Sequence, residues 1–291
     1  MPDDTPQNSG APVRSGVLYV VATPIGHMKD ITLRALEILG AVDLIAAEDT
    51  RHTGRFLAVH GIQKRLLSYH EHNEARRTPE LIRLLREGSA VALVSDAGTP
   101  SISDPGYRLV QEAAGHHIRV VPIPGVSAAV AALSVSGLAT DAFTFLGFPS
   151  RRKEKRLRQL AAAAQLPHTL IFYQSPQRLK VFLEELLAAV GDRPAVLARE
   201  ITKMHEEFIR ATLSEIAACI AGRDSVKGEC TLLVAGAADA PVEKSAACLE
   251  NELLEALQTQ DRPLGEIARQ LAEQHGVSRK AVYALALKLK K

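Results

Sequence analysis

Residues 94–106 read VSDAGTPSISDPG, a stretch in which an apolar strand runs into small residues, Asp and Pro. Gly98 and Gly106 allow backbone conformations that other residues avoid, and Pro100 and Pro105 stiffen the loop. Such a loop can bring its backbone close to a polar small molecule, although a lone glycine loop is more often a connecting turn. The stretch predicts a strand followed by a candidate ligand-binding loop.

The same order of strand, loop and helix recurs on both sides of this stretch. An apolar run at Val17–Ala22 ends in Thr23–Gly26, and helical spacing follows from Leu33 to Leu39. The next patterns are strand Asp43–Ala47, helix Arg76–Glu87, strand Ala90–Ser95, helix Tyr107–Gly115 and strand Ile118–Val121. This alternation predicts an α/β domain whose mostly parallel sheet is covered on both faces.

A second α/β domain follows a break at Pro122–Gly125, where two prolines interrupt the pattern. Ser127 is expected to cap an Ala-rich helix that reaches about Ser136. The later patterns are strands Phe143–Phe148, Thr169–Tyr173, Ala195–Arg199, Glu206–Ala211 and Cys230–Ala235, with helices Lys153–Ala164 and Gln177–Val190. Strands and helices in this mixture predict a mixed sheet.

We therefore predict a flexible tail over residues 1–16, an N-terminal α/β domain over 17–122, a C-terminal α/β domain over 123–237 and a helical extension over 238–291. The extension follows a linker at Ala237–Glu243. Its patterns at Leu264–Gln274 and Ser278–Lys290, with Ala272 at the contact and Gly276 in the turn, resemble a helix-turn-helix. A packing or dimerisation bundle and a nucleic-acid-binding module are equally open at this point.

The composition sets limits on location and partners. The 291 residues carry a formal net charge of +2, and the apolar runs are all shorter than the roughly 20 residues that span a bilayer. The polar N-terminus indicates no signal peptide, so we expect a cytoplasmic protein without a membrane partner. Cys219, Cys230 and Cys248 are widely spaced, which predicts reduced packing residues and indicates no metal site. Basic residues are concentrated in Arg151–Arg158. This segment is either a solvated helix face or a contact for phosphate groups.

Familiar ligand motifs are missing from the sequence, among them the dinucleotide-binding, P-loop, zincin and nucleophile-elbow signatures. What remains is a set of loops at strand ends. These loops are Thr23–Asp30, Glu48–Thr53, Asp96–Asp104, Pro124–Ala128 and Tyr173–Arg178. Since loops that follow parallel strands share one edge of a sheet, we expect them to form one ligand crevice.

Four motifs in this set carry a family resemblance. They are LYVVATPIG at 18–26, AEDTRHT at 47–53, SDAGTP at 95–100 and KGE at 227–229. Over about Val17–Gly236 the chain resembles the tetrapyrrole methylase family, and within it the branch that methylates a ribose 2′-hydroxyl in 16S rRNA. The resemblance implies two α/β domains with a ligand cleft between them, S-adenosyl-L-methionine as methyl donor, and a homodimer. It also implies an acceptor cytidine in the decoding centre of the small ribosomal subunit.

The resemblance also implies roles for individual residues. The donor-binding set is Pro24, Asp96, Ala97, Gly98, Ser101, Ser127, Ala128 and Tyr173. Ser127 and Tyr173 also have ordinary structural interpretations, as a helix cap and a core aromatic residue. Three positions depart from the family pattern, since Gln174 and Gln177 stand where Glu and His are usual, and His27 stands where Asn is usual. A glutamine does not titrate, so neither Gln174 nor Gln177 supplies an acid or a base.

Asp49 is the first candidate for a base that activates the acceptor hydroxyl, with Glu48 and Glu200 behind it. The alternative is that these acids form structural ion pairs with Arg51, Arg199 or Lys203, and sequence alone leaves both open.

The candidate RNA-binding residues are Arg51, His52, His72, Asn73, Arg178 and Lys203, although His72 and Asn73 also suit a turn that caps the following helix. An aromatic content of 4% argues against base-stacking platforms and favours recognition of the shape of an assembled ribosomal subunit. Two rival functions stay open. One is a methylase of the same fold acting on a tetrapyrrole or a modified histidine, and the other is a non-catalytic RNA-binding assembly factor.

Overall fold

The structure is a computed structural model that describes residues 13–237, 246–259, 263–275 and 277–289. The chain divides after Gly236 into two units. The expected tail over residues 1–16 and the expected linker Ala237–Glu243 fall almost entirely outside the described residues. Across the described part of the chain, no helix has the length and apolar character needed to cross a membrane.

The first sheet has five parallel strands. They are β1 (Val17–Val21), β2 (Leu44–Ala47), β3 (Leu66–Ser68), β4 (Val91–Val94) and β5 (Arg119–Ile123), in the order β3-β2-β4-β1-β5. Along β4, Ala92 and Val94 join one apolar cluster, whereas Val91 and Leu93 join another. Successive side chains of a strand point to opposite faces, so both faces of the sheet are buried. This confirms the predicted parallel sheet.

Four helices complete this half of the first unit: α1 (Leu33–Ala41), α2 (Thr50–Val59), α3 (Glu74–Arg86) and α4 (Tyr107–Gly115). Two of them begin at polar caps. The Thr32 hydroxyl accepts a hydrogen bond from the Ala35 N–H at 3.1 Å, and the Asp49 carboxylate accepts from two amides at the start of α2. Such caps satisfy amides that have no partner within the helix.

The second sheet is mixed, as predicted. Its strands are β6 (Phe143–Gly147), β7 (Thr169–Gln174), β8 (Pro194–Arg199), β9 (Glu207–Thr212) and β10 (Cys230–Val234), in the order β6-β7-β10-β8-β9 with only β6 and β7 parallel. Helix α5 (Ala128–Ser134) packs against one face of this sheet. The other face is buried by three helices, α6 (Lys153–Ala163), α7 (Pro176–Val190) and α8 (Leu213–Ala221).

Helix α2, strand β3 and helix α8 were not predicted from the sequence, and β5 is longer than expected. Residues Glu48–Thr53 were interpreted as a loop, but α2 begins at Thr50. Strand β3 is too short to show alternation, and the capping box that starts α8 was overlooked. Strand β5 continues through Pro122 because it is an edge strand, where a missing N–H is tolerated.

The second unit contains α9 (Ala246–Thr259), α10 (Leu264–His275) and α11 (Arg279–Leu289). Its apolar cluster includes Leu253 of α9, Ile267 and Ala272 of α10, and Val282 of α11. Helices α10 and α11 pack against each other. Gly276, which the sequence places in the turn between them, lies outside the described residues, so the helix-turn-helix stays a prediction. The function of this unit stays a prediction.

An ion-pair cluster in the second sheet leads to a stability prediction. The Glu207 carboxylate accepts hydrogen bonds from Arg223 at 2.6 and 2.8 Å and from Arg199 at 3.0 Å, which lowers the pKa of Glu207 to about 2 from 4.5. Because the folded pKa is the lower one, the stabilisation is complete above about pH 4.5 and is lost as the pH falls towards 2. We expect Glu207→Gln to lower the free energy of unfolding by about 1–2 kcal/mol at pH 7 and by less at lower pH.

Urea denaturation at pH 7 and at pH 3.5 measures this difference. Glu184→Gln is the matched control, since Glu184 is exposed on α7. A loss for Glu207→Gln that is equal at the two pH values would contradict the assignment.

Candidate active site

Loops that follow strands of both sheets enclose a cavity of about 410 Å³ in the first unit. The first sheet contributes Ile25 after β1, Glu48 after β2 and residues 96–99 and 102–104 after β4. The second contributes the end of β7 and the start of β10. The expected gathering of strand-end loops around one crevice is therefore confirmed.

The loop after β4 has a strained backbone. Ser101 and Ser103 have φ of +70° and +66°, a region that residues other than glycine rarely occupy. The loop is held by Thr23, whose backbone N–H donates to Gly98 at 2.8 Å and whose carbonyl accepts from Gly98 at 3.0 Å. Backbone strain of this kind persists only where the surrounding structure imposes it, and it clusters at ligand sites.

Four carboxylates line the cavity, those of Glu48, Asp96, Asp104 and Glu229. The Asp96 N–H donates to Glu48 at 3.3 Å, and the Asp49 N–H donates to Asp96 at 3.2 Å. Burial, together with the neighbouring carboxylates, raises the pKa of Glu48 and raises the pKa of Asp104 to about 7. A cavity with this charge favours a cationic ligand.

An aromatic wall closes the side of the cavity that belongs to the second sheet. Tyr173 has its ring 4.9 Å from that of Phe145 and 5.6 Å from that of Phe148, both in T-shaped arrangements. Its hydroxyl accepts a hydrogen bond from the Ala129 N–H at 3.2 Å. Ser127 occupies the cap position of α5, but its side chain makes no cap hydrogen bond, so the expected Ser127 cap is wrong in this respect. Tyr173 supplies the contact instead.

Two further wall residues are uncharged. Gln174 is 3% exposed, and its side-chain carbonyl accepts from the Ser175 N–H at 2.9 Å, so it stabilises the turn between β7 and α7. Burial raises the pKa of Cys230 to about 11, which keeps this thiol neutral. These residues shape the cavity without adding charge.

Comparison with known proteins decides the family. The model of the tetrapyrrole (corrin/porphyrin) methylases matches residues 17–217. The chain belongs to the tetrapyrrole methylase family. Ribosomal RNA small subunit methyltransferase I of Mesorhizobium japonicum is 47% identical over 94% of this chain and 92% of that protein. The protein of the same name from Escherichia coli O157:H7 is 45% identical over 97% of this chain and 98% of its own length.

A solved structure with the same fold is uroporphyrin-III C-methyltransferase from Thermus thermophilus, which was crystallised with S-adenyl homocysteine. It aligns with a TM-score of 0.54 and 21% identity, covering 74% of this chain and 96% of that one. The predicted family and fold class are confirmed. The tetrapyrrole methylase described here is a methyltransferase whose donor is S-adenosylmethionine.

The cavity fits this donor. S-adenosylmethionine supplies an electrophilic methyl group on a positively charged sulfur, and it also carries an ammonium group and an adenine ring. The carboxylates of Glu48, Asp96 and Asp104 oppose positive charge, and Tyr173 offers an aromatic face. A volume of about 410 Å³ is within the range of small-molecule pockets.

Most of the expected donor-binding residues of this tetrapyrrole methylase meet around the cavity: Asp96, Ala97, Gly98, Ser127, Ala128 and Tyr173 line it. The other two lie in the same loops. Pro24 is buried beside Ile25, and Ser101 has a buried hydroxyl without a hydrogen-bond partner among the described residues. Their contact with the donor stays a prediction.

The three candidate bases of the tetrapyrrole methylase have different surroundings. Asp49 is exposed, and its carboxylate accepts from the Arg51 and His52 amides at 2.7 and 3.3 Å, which lowers its pKa. Glu200 accepts from Lys203 at 2.9 Å, and this hydrogen bond lowers the pKa of Glu200. Glu48 lines the cavity with a raised pKa. Asp49 therefore caps a helix, and Glu200 has an ion-pair partner.

The expected RNA-binding residues are spread over several elements. Arg51 and His52 are exposed on the first turn of α2, and His72 is exposed before α3. The Asn73 side chain accepts from the His70 N–H at 2.9 Å, so it closes the turn in which His72 lies.

The other two expected RNA-binding residues have protein partners. The Arg178 Nε donates to the Ser175 hydroxyl at 3.2 Å. Lys203 lies between Glu200 and Glu229, with distances of 2.9 and 3.1 Å. Contact with RNA stays a prediction for all six residues.

Asp104, Glu229 and Phe148 are among the cavity residues that the sequence assigned no role. Asp104 lies within the loop that the sequence analysis emphasised, and Glu229 lies within the KGE motif, so both had a local signal. Phe148 had none, because an aromatic residue at the end of a strand is expected to be core. Its exposure depends on the packing of the two sheets.

Proposed function

We propose that this tetrapyrrole methylase transfers a methyl group to the ribose 2′-hydroxyl of a decoding-centre cytidine in 16S rRNA. The observation that carries the proposal is the match over 97% of the chain to a protein named ribosomal RNA small subunit methyltransferase I. The motif resemblance described above supports the ribose and the cytidine. The acid-lined cavity supports methyl transfer from a cationic donor. We further propose that the protein is cytoplasmic and acts as a homodimer.

The proposed role of the cavity is alignment. The loop after β4, held by Thr23, and the aromatic wall at Tyr173 fix the donor on two sides. Asp96 and Asp104 balance its positive charge. Holding two reactants in line can supply several kcal/mol of the barrier to a displacement reaction, about 7–11 kcal/mol in the best cases.

Glu48 is the proposed proton acceptor among the candidate acids. It lines the cavity, and burial raises its pKa, so it is a stronger base than an exposed carboxylate. One carboxylate oxygen of Asp49 accepts from the Arg51 and His52 amides, and one of Glu200 accepts from Lys203, and these hydrogen bonds lower the pKa of both acids. A positioned base contributes about 100-fold or more to a rate.

A pair of isosteric substitutions distinguishes the roles of the neighbouring acids Glu48 and Asp49. We expect Glu48→Gln to lower kcat by about 100-fold, since an amide does not accept the hydroxyl proton. We expect Asp49→Asn to keep at least half of the activity, because asparagine is as good a helix cap as aspartate. Single-turnover methyl transfer measures both, and calorimetry with S-adenosylmethionine checks that each variant binds the donor. A large kcat loss in Asp49→Asn alone would assign the base to Asp49.

The function itself is tested by transfer of labelled methyl from S-adenosylmethionine. The acceptors are small ribosomal subunits that lack the modification, naked 16S rRNA and a porphyrinogen, each in a separate reaction. We expect label in subunit RNA, at a ribose, and none in the porphyrinogen. Label only in the porphyrinogen would show a tetrapyrrole acceptor. Donor binding without label in any acceptor would refute the proposed substrate.

A further inference from the structure

Phe148 lines the cavity but has no role in the proposed reaction. It is 52% exposed, although it lines the cavity and directly follows β6. Ile102, in the strained loop of the first sheet, is 49% exposed and lines the same cavity. Large exposed apolar side chains from loops of two different sheets therefore line the same cavity. Burying them in a ligand contact is favourable.

The backbone around Phe148 is built to expose the ring. The register between β6 and β7 shifts between Phe145 and Gly147, and Gly147 has φ of +59°. A β-bulge of this kind turns the following side chain away from the ladder. A Cβ atom on Gly147 would lie 3.0 Å from the Ser103 hydroxyl, so the first sheet's loop packs closely at this point. The exposure of Phe148 thus follows from a specific local geometry.

An open hollow of about 400 Å³ continues from the ring of Phe148. Its walls include Ser103, Phe145 and Gly147, so it lies beside the donor cavity and shares residues with it. The T-shaped contact with Tyr173 leaves half of the Phe148 side chain available to a second aromatic surface. We call Ile102 and Phe148 the apolar shelf.

Two arginines, Arg151 and Arg152, follow Phe148 closely in the sequence, and hydrogen bonds hold the backbone of this segment. Arg156 pairs with Glu185 at 2.6 and 2.8 Å, and it donates to the carbonyls of Ser150 and Arg151 at 3.0 and 3.2 Å. Arg156 is thus a structural residue. The guanidinium-bearing side chains of Arg151 and Arg152 are exposed on the segment that Arg156 holds.

We infer that the apolar shelf stacks the base of an unpaired acceptor nucleotide, while Arg151 and Arg152 bind the adjacent phosphates. The inference rests on the proposed function, since it names the part of the RNA that this surface takes. Unpaired bases are recognised by stacking on aromatic side chains, and arginines bind phosphate oxygens. The low aromatic content of the chain is compatible with this mode, because a single exposed ring suffices for one base.

Substitutions at Phe148 and at the start of β6 test the shelf. We expect Phe148→Ala to lower kcat/KM for unmodified small subunits, measured at saturating S-adenosylmethionine, by about 10–100-fold, and the loss to be largely rescued by Phe148→Tyr. Phe143→Ala is the matched control, since Phe143 is a 43% exposed aromatic residue at the start of β6, the strand that Phe148 follows. A weaker Kd for the donor with unchanged use of subunits would place Phe148 in the donor site and overturn the inference.

RNA binding can be measured without methyl transfer. This measurement tests the shelf even if the protein does not methylate subunits, so failure of the shelf and failure of the proposed function give different results. Fluorescence anisotropy with labelled oligocytidylate should give a Kd about 10-fold weaker for Phe148→Ala. The double substitution Arg151→Gln and Arg152→Gln should reduce the slope of log K against log salt by about 1.4, or about 0.7 for each phosphate contact. Arg83→Gln, on the exposed side of α3, should leave the slope unchanged. Oligocytidylate binding that is independent of Phe148 would overturn the inference, as would dependence on Phe148 for a porphyrinogen alone.

Discussion

The Kd of the wild-type protein for S-adenosylmethionine is expected to fall as the pH rises from 6 to 8, and Asp104→Asn is expected to remove this pH dependence. Burial and the neighbouring Glu48 raise the pKa of Asp104 to about 7, so its carboxyl is mostly neutral at pH 6 and mostly ionised at pH 8. A cationic donor binds better to the ionised form. At pH 8 the substitution should weaken binding by about 10-fold, which corresponds to 1.4 kcal/mol.

Calorimetry at pH 6, 7 and 8 with S-adenosylmethionine and with S-adenosylhomocysteine measures the effect. A dependence confined to the sulfonium compound would place Asp104 near the sulfur, whereas a dependence shared by both would place it near the ammonium group. Asp141→Asn is the control, since Asp141 is exposed. A wild-type Kd that is independent of pH would contradict the assignment.

The same carboxyl has the opposite effect on stability. The pKa of Asp104 in the folded protein is raised from 3.8. The contribution of this carboxyl to the free energy of unfolding is therefore complete below about pH 4, and it is lost as the pH rises through about 7. Asp104→Asn should therefore be more stable than the wild type at pH 8, by about 1–2 kcal/mol after allowance for solvent screening. A variant that gains stability and loses donor affinity would identify Asp104 as a functional residue.

Gly106→Ala is the second substitution with a large expected effect. Gly106 has φ of +138°, and a Cβ atom there would lie 2.8 Å from the Leu93 side chain beneath the loop. The substitution forces both the backbone and the core to move, so we expect a loss of about 3 kcal/mol in the free energy of unfolding. Donor affinity should fall by more than about 10-fold, because the displaced loop carries Asp96 and Asp104.

Gly88→Ala provides the matched control for this prediction. Gly88 also has a positive φ, +98°, but a Cβ atom there would have no neighbour within 4 Å. Its cost is therefore backbone strain alone, about 1 kcal/mol, without an effect on donor binding. Urea denaturation and calorimetry on both variants measure the difference. Equal losses in the two variants would show that the packing under the loop does not matter.

Most elements of the first unit are predictable from the sequence because its strands and helices have clear periodicity. Buried β4, for example, is a continuous apolar run, and α4 has the same bounds in the structure as in the prediction. Helix α2 is not predictable in the same way, because its first turn is polar and its cap is Asp49. Local patterns report which face of a segment is buried, but a polar helix start looks like a loop. The misplaced segment is also the one that carries two candidate bases.

The sequence by itself determined the α/β fold, the family and the loops that enclose the cavity, because these depend on patterns and motifs contained in short stretches of chain. Only the tertiary structure decided which acids face the cavity, that Asp49 serves as a helix cap, and that the ring of Phe148 is exposed. Burial and the distances between charges depend on residues far apart in sequence. A carboxylate becomes a helix cap, an ion-pair partner or a group with a raised pKa only through the neighbours that folding brings to it.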